Sequence, residues 1–237
     1  MAKLNRGMGR RFSPNQQDLG FVMRTNVPRI LNPDGPLPKS KTWAITPRSL
    51  DQGDTGTCVG HAWSNFLRCA PMQTVASGPS AWDIYREAVL ADEWTDNDSE
   101  ATLPDHSPKM VSGTCVRAGS QVLIKRNKAR LFLWAFDVQS VINWVLAKGP
   151  MVIGINWYNS MFDPDDTGLI RITPTSTIAG GHALLVRGVN TTRGIATLEN
   201  SWGDEWGKNG SCFIQLADLD RLLHEDGEGA TAVELKV

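Results

Sequence analysis

The sequence predicts an α+β protein with a mainly helical first part and a mainly β second part. Apolar residues recur at helical spacing before Gly149 and Pro150, and short apolar runs separated by Gly, Asn and Asp follow them. Short runs of this kind are typical of an antiparallel sheet or barrel. The chain has 237 residues, 41% of them hydrophobic, which is enough for a sizeable core. We therefore expect a helical lobe followed by a β lobe.

The first 41 residues have a different character. The stretch from Met1 to Phe12 contains no acidic residue and four basic ones, at Lys3, Arg6, Arg10 and Arg11. Prolines at positions 28, 33, 36 and 38 then interrupt the chain, which disfavours a regular element. The sequence predicts an N-terminal arm over residues 1–41, and a partly ordered tail is favoured over a docking or targeting segment.

The first predicted helix begins at Cys58. Glycines at 53 and 56 allow a close turn before it, and the residues after it are apolar at helical spacing (Val59, Trp63, Phe66, Leu67). Cys58 therefore falls on the first helical turn.

Three further helices are predicted downstream. Ser80 and Asp83 are spaced as a capping box, and Trp82, Tyr85 and Val89 then lie on one face that we assign to the core. Thr114 is a candidate cap for a helix through Val122 and Leu123. Asp137 begins the clearest helical pattern, which Gly149 and Pro150 end; its apolar members are Val138, Val141, Ile142, Val145 and Leu146.

An acidic stretch covers residues 92–105, with six acids and no Lys or Arg. Asp96, Asp98 and Glu100 have some likeness to a calcium loop, but Ala101 stands where a glycine is expected. A solvated loop is the favoured interpretation.

Five short runs predict the strands of the second part. They are residues 151–155, the run after His182, residues 195–200, residues 212–214 and residues 230–237.

Cys58 has the surroundings of a nucleophile. The free N–H groups and the positive dipole end of a helix N-terminus favour the thiolate, which is the attacking form. Gln52 offers a side-chain N–H that could meet the Cys58 backbone N–H at a developing oxyanion.

A base and an orienting residue follow far downstream. His182 stands at the start of an apolar run with Gly180 and Gly181 before it, and Asn200 stands where a second apolar run ends. An asparagine there could hydrogen-bond the imidazole and fix its tautomer.

Several of these residues also have a non-catalytic interpretation. Cys58 alone could be an inert buried thiol, and His61 could be a base, although a packed helix histidine is favoured. A zinc site built from His61 and the four cysteines is disfavoured because the chain has no close C-x-x-C pair; the cysteines are Cys58, Cys69, Cys115 and Cys212.

Three blocks together resemble the papain-like cysteine peptidases. They are Gln52 with Gly56-Thr57-Cys58, then Gly181-His182-Ala183, then the segment from Asn200-Ser201-Trp202-Gly203 through Trp206-Gly207 to Gly210. The resemblance implies a two-lobed papain-like fold over residues 42–237, with a mainly helical lobe at 42–149 and a mainly β lobe at 150–237. It implies that Cys58 is the nucleophile, His182 the base, Asn200 the orienter and Gln52 an oxyanion donor. Trp202 and Trp206 would shield the His182–Asn200 hydrogen bond.

The chain departs from the common family pattern at several positions. Thr55 replaces a frequent disulfide cysteine, Val59 a tryptophan, and Gly181 an Asp or Asn, which is more similar to a bacterial or viral branch. The candidate for the segment that holds the substrate backbone is Ser112-Gly113-Thr114. A thiolate–imidazolium pair would give Cys58 a pKa below about 8.5.

The resulting expectation is a cysteine peptidase that cleaves peptide or protein substrates without a cofactor or metal. An isopeptidase or amidase would use the same residues, and the alternative is a catalytically silent papain-like binding or structural module, for example in a virus particle. The net charge of −1 indicates neither nucleic acid nor an anionic membrane as a partner. The absence of a signal-like or membrane-spanning apolar run, and an odd number of cysteines besides Cys58, favour a reducing, cytoplasmic setting.

Overall fold

The computed structural model describes residues 6–23, 36–46, 49–73 and 80–233. Five α-helices lie in these ranges: α1 Cys58–Arg68, α2 Ala81–Val89, α3 Val116–Lys125, α4 Val138–Ala147 and α5 Leu216–His224. Short 3-10 helices occupy Gln16–Phe21, Asp98–Thr102 and Asn159–Met161. None of the helices in the described ranges has the length and apolarity that crossing a bilayer requires.

Eight strands lie in the described ranges: β1 Ser40–Thr42, β2 Leu131–Ala135, β3 Met151–Tyr158, β4 Leu169–Ile170, β5 Ile178–Asn190, β6 Ile195–Glu199, β7 Ser211–Gln215 and β8 Glu228–Val233. They form one sheet in the order β2-β8-β3-β5-β6-β7-β4, with β1 paired to β5. The pairs are antiparallel except for β4 with β7.

The helices begin where local hydrogen bonds satisfy their first N–H groups. Ser80 and Asp83 form the predicted capping box of α2, and the Asp137 carboxylate accepts from Ser140 N at 2.8 Å at the start of α4. The predicted cap of α3 is wrong by one residue, because Cys115 is the N-cap and its Sγ faces Ala118 N. The Thr114 hydroxyl instead donates to Asp92 at 2.5 Å.

The sheet separates two cores, as its period-two alternation requires. On β5, Ala183 and Leu185 face the core shared with α1 and α3, whereas Leu184 and Val186 face the core shared with α4 and α5. The predicted α+β class with a helical lobe and a mainly antiparallel β lobe is therefore confirmed.

Some elements were not predicted. Strand β2 lies in the helical part but pairs with β8, and helix α5 lies within the β part. Strand β1 begins inside the predicted arm. The predicted strand at 230–237 is observed as Glu228–Val233, and residues 234–237 lie outside the described ranges.

The acidic stretch is more ordered than a solvated loop. The Glu100 side chain is buried, accepts the Tyr85 hydroxyl at 2.5 Å, and also accepts the backbone N–H groups of Val111 and Ser112 at 3.2 and 3.0 Å. The prediction of a wholly solvated loop was wrong at this residue because Glu100 replaces water as the partner of these buried groups.

Candidate active site

Cys58 is the first residue of α1 and is fully buried. The preceding loop turns at Gly53, whose φ of 62° lies in the left-handed region that glycine adopts without strain. The prediction that Cys58 occupies the first helical turn is confirmed.

His182 and Asn200 meet at the edge of the β lobe. His182 lies on β5 opposite Ile155 of β3, and Asn200 directly follows β6. The His182 Nε2 lies 2.8 Å from Asn200 Oδ1. An amide oxygen can only accept, so Nε2 carries the proton and Nδ1 of the neutral ring is left as an acceptor. The His182 Nδ1 is buried and has no hydrogen-bond partner among the described residues.

Aromatic rings enclose this pair. Trp202 stacks on the imidazole with centroids 4.7 Å apart, and Trp206 meets Trp202 edge-on at 5.0 Å. Trp157 packs edge-on against the imidazole at 5.1 Å, and sequence reasoning did not select it. Trp157 could have been found from the alternation of strand β3, because Ile153, Ile155 and Trp157 lie on the same face of the sheet.

Gln52 is fully buried beside the start of α1. Its Oε1 accepts the Ser201 hydroxyl at 2.7 Å, which fixes the orientation of the amide. Its Nε2 donates to the carbonyl oxygens of Thr55 at 2.7 Å and Gly7 at 3.1 Å. The predicted oxyanion donor therefore already binds two carbonyl oxygens, one of which, Gly7 O, belongs to the N-terminal arm.

The arm runs through the cleft between the lobes. Arg10 N donates to Gly181 O at 3.0 Å, next to His182. Thr114 N donates to Gly9 O at 2.9 Å, and Arg11 N donates to Thr114 O at 2.9 Å. Main-chain hydrogen bonds to both walls thus hold residues 6–11, which we call the cleft segment.

Two glycines make this fit possible. A Cβ on Gly7 would collide with the carbonyl oxygen of Thr55, and a Cβ on Gly9 with that of Gly56. The prediction of a partly ordered tail was wrong for the cleft segment. Composition and prolines suggested disorder, but main-chain pairing needs no apolar side chains.

Arg10 anchors the cleft segment through its side chain. Its Nε and Nη2 lie 3.2 and 3.1 Å from Glu228 Oε1, and Nη2 also donates to the carbonyl oxygen of Asp226. The two charged side chains are only 1% and 4% exposed. An ion pair this deeply buried is costly to break by removing either partner.

The electrostatics follow from this enclosure. Burial raises the pKa of Cys58 to about 11, although backbone amides at Ala183, Gly9 and Val59 act against the rise. Burial lowers the pKa of His182 to about 4, and the hydrogen bond to Asn200 acts against the fall. The expectation of a thiolate–imidazolium pair was therefore wrong for this closed arrangement, in which both groups are neutral.

The structure also shows the surroundings of His61 and of the four cysteines. His61 is buried with Nδ1 2.9 Å from Thr57 O and its ring edge-on to Trp82, as a packed helix histidine. All four cysteines are free thiols. No group of three or more metal-ligating side chains occurs within the described part of the chain.

Comparisons with known proteins identify the family and the fold. The sequence model described as "Papain family cysteine protease" matches residues 64–220, which excludes Cys58 and includes His182 and Asn200. No curated protein sequence matches the chain.

Solved structures share the fold. Xylellain, a cysteine protease from Xylella fastidiosa, superposes with a TM-score of 0.71 at 16% identity over 100% of both chains. Digestive procathepsin L2 from Tenebrio molitor larval midgut superposes with a TM-score of 0.66 at 17% identity, over 97% of this chain and 78% of the other. The proform of the cysteine protease Amb a 11, a ragweed pollen allergen, superposes with a TM-score of 0.58 at 15% identity, over 87% of this chain and 68% of the other.

The family match covers more than half of the chain, and the two-lobed fold is the one that these proteases have. The chain therefore belongs to the papain family of cysteine proteases, hydrolases whose substrates are peptides or proteins.

Proposed function

We propose that this protease hydrolyses peptide bonds through Cys58, His182 and Asn200, with Gln52 as an oxyanion donor. The observation that carries the proposal is the fixed tautomer of His182, because Asn200 binds the protonated Nε2 and leaves a buried Nδ1 able to accept a proton. Cys58 begins the helix that packs against the strand of His182.

In the first half of the reaction, the Cys58 thiol gives its proton to His182 Nδ1 as the sulfur attacks the carbonyl carbon. A C–S bond forms and the carbonyl electron pair moves onto oxygen. The amide C–N bond then breaks, and the imidazolium gives its proton to the leaving amine. In the second half, His182 takes a proton from water, which attacks the thioester and releases the acid and the thiol.

The developing oxyanion needs donors that are aimed before the reaction starts. Gln52 Nε2 is already held against a carbonyl oxygen, and its amide cannot turn without losing the Ser201 bond. The backbone N–H of Cys58, at the start of α1, is the second donor in this proposal.

Substrate cannot enter while the cleft segment is in place, because one groove cannot hold two chains. The segment occupies Gln52, the proposed oxyanion donor, and it also occupies Gly181 and Thr114, which in this proposal bind the substrate backbone. The predicted arm thus holds the enzyme in a closed form, and peptide hydrolysis follows its displacement. The proenzyme names of two structural neighbours accord with such a closed form.

The test uses Gly9→Ala/Arg10→Ala, called the opened variant, which removes the fit at Gly56 and the anchor at Glu228. We expect it to cleave a mixed peptide library and to be labelled at Cys58 by a thiol-directed peptidyl epoxide. Adding Cys58→Ala should abolish both with an unchanged far-UV circular dichroism spectrum. Equal cleavage with and without Cys58 would contradict the proposal, as would an opened variant that binds peptides without cleaving them.

A further inference from the structure

The side chain of Arg10 fills a pocket in the cleft wall, separate from the groove that holds its backbone. The pocket is bounded by the Glu228 carboxylate, the Asp226 carbonyl oxygen and Val116. It is reached from the groove one residue away from Gly9, whose backbone amide faces Cys58. A substrate side chain lying in the groove at the same point would enter the same pocket.

Gly154 gives this pocket its depth. It lies in the middle of β3, between apolar neighbours and opposite both Ala183 and Glu228. A Cβ there would stand 2.7 Å from Arg10 Nε and 2.8 Å from a methyl group of Val116. A glycine inside a strand weakens the strand, and one common reason for it is the close approach of a ligand. Here the absent side chain is the space that the guanidinium occupies.

The chemistry of the pocket suits a planar cation. Glu228 accepts from two nitrogens of the same guanidinium, and the Asp226 carbonyl accepts from one of them, which sets the donors in the fork that arginine presents. The carboxylate is buried, and a neutral side chain in the pocket could not make the charge-assisted hydrogen bonds that the Arg10 guanidinium makes to it. Lysine supplies the charge but not the fork.

We propose that this pocket is a substrate subsite selective for arginine, that Glu228 determines that selectivity, and that Arg10 occupies the subsite in the closed enzyme. The inference rests on the proposed peptidase function. The cleft segment then mimics a preferred substrate side chain while presenting the Gly9 amide to Cys58. Substrates with arginine at the matching position are favoured over substrates with uncharged side chains of similar length.

The first experiment profiles the opened variant with a positional-scanning peptide library. We expect arginine to be preferred over norleucine at one position near the scissile bond by about tenfold to a hundredfold in kcat/KM, the range of a charged hydrogen bond. Adding Glu228→Gln should remove that preference, chiefly by lowering kcat/KM for the arginine peptide. The matched control is Glu225→Gln, a surface acid that binds Tyr158 and Arg221 outside the pocket, and it should keep the preference.

The second experiment needs no turnover. N-acetyl-arginine amide should raise the melting temperature of the opened variant in a concentration-dependent way, whereas N-acetyl-norleucine amide should not. Glu228→Gln should abolish the effect, and Gly7→Ala/Arg10→Ala serves as a second opened form.

The outcomes separate the two proposals. Peptide cleavage without an arginine preference, or a preference that survives Glu228→Gln, would overturn the subsite and leave the peptidase standing. Selective binding of the arginine amide without any cleavage would support the subsite and overturn the peptidase function. Equal binding of both amides would overturn the subsite whatever the enzyme cleaves.

Discussion

The thiol of Cys58 is fully buried, and this burial raises its pKa even though the backbone amide of Gly9 acts against the rise. Water cannot solvate a thiolate there, so the neutral form is favoured and the pKa rises to about 11. The helix N-terminus works in the opposite direction, but burial is the larger effect. The closed form therefore keeps Cys58, the proposed nucleophile, as the slowly reacting thiol.

Opening the cleft should change that reactivity. We expect Gly9→Ala to move the pH profile of Cys58 alkylation by iodoacetamide from near pH 11 to below about 8.5, the value for a free thiol. The reason is that a Cβ at residue 9 collides with Gly56 O and admits water to the sulfur. The measurement is the labelling rate against pH, with Cys58 identified by mass spectrometry because the other cysteines are also buried.

The control for this change is Gly20→Ala. Gly20 lies in the same N-terminal region but has open space where a Cβ would be, so the profile should stay with the parent. An alkaline profile in both variants would contradict the role of the cleft segment. In the opened form, His182→Ala should return the reactivity towards alkaline pH, whereas His61→Ala should not.

Gln52 offers a second test at this scale. In the opened variant, we expect Gln52→Ala to lower kcat by about 10²–10³ with little change in KM, because the oxyanion exists only near the transition state. Steady-state kinetics on a library-selected peptide would measure it. A change confined to KM would assign Gln52 to substrate binding instead.

The residues of the candidate site carried the clearest signals in the sequence. Cys58, His182, Asn200 and Gln52 stand in motifs whose residue types are set by chemistry, and the structure brings His182 and Asn200 into hydrogen-bond contact. Glu228 and Arg10 could not be paired in advance, because 218 positions separate them and neither stands in a motif. Only the fold makes them neighbours.

At the scale of elements, the acidic stretch shows how one buried side chain orders a loop. Glu100 holds Tyr85 of α2 and the N–H groups just before Gly113, and Gly113 N itself donates to the Tyr85 hydroxyl at 3.1 Å. This network places the Ser112-Gly113-Thr114 segment against the groove. The candidate backbone-holding segment therefore depends on an acid that charge patterning alone assigned to solvent.

Replacing that acid should be costly. We expect Glu100→Ala to lower the free energy of unfolding by about 3 kcal/mol, since three donors lose a buried charged acceptor. Urea denaturation measures the change. Asp98→Ala, at an exposed position on the same 3-10 helix, should alter stability by about 0.5 kcal/mol or less. Similar losses in both variants would show that Glu100 has no special role.

Elements with a strong local signal were predicted well. The helices after Ser80 and Asp137 have caps and apolar periodicity, and both begin where the sequence indicated. Strand β2 and helix α5 were missed because their stability comes from distant partners, β8 for the strand and the β-lobe core for the helix.

For the whole molecule, two buried histidines set the response to acid. Burial lowers the pKa of His61 and of His182 from 6.5 to about 4. Below pH 6.5 the unfolded chain binds protons that the folded chain refuses, so stability is full above that pH and is lost as the pH falls towards 4.

The expected size is about 3 kcal/mol for each histidine. Urea unfolding at several pH values in that window gives the slope of the free energy of unfolding against pH, which should correspond to an uptake of about two protons on unfolding. We expect His61→Gln to reduce this uptake by about one proton. His224→Gln is the control, because His224 lies exposed on α5 and should leave the slope unchanged. A pH-independent free energy of unfolding would contradict this account.

The position of β8 in the sheet has a consequence for the order of folding. This strand follows every other strand along the described chain, yet it is inserted between β2 and β3 and carries Glu228 at its first position. Until β8 enters, the sheet has a gap and Arg10 has no carboxylate to bind. Contacts across so many residues form slowly, since the intervening chain must first be closed into a loop. We therefore expect docking of the cleft segment to be a late event in folding, so that a nascent or partly folded molecule has Cys58 uncovered before the anchor exists.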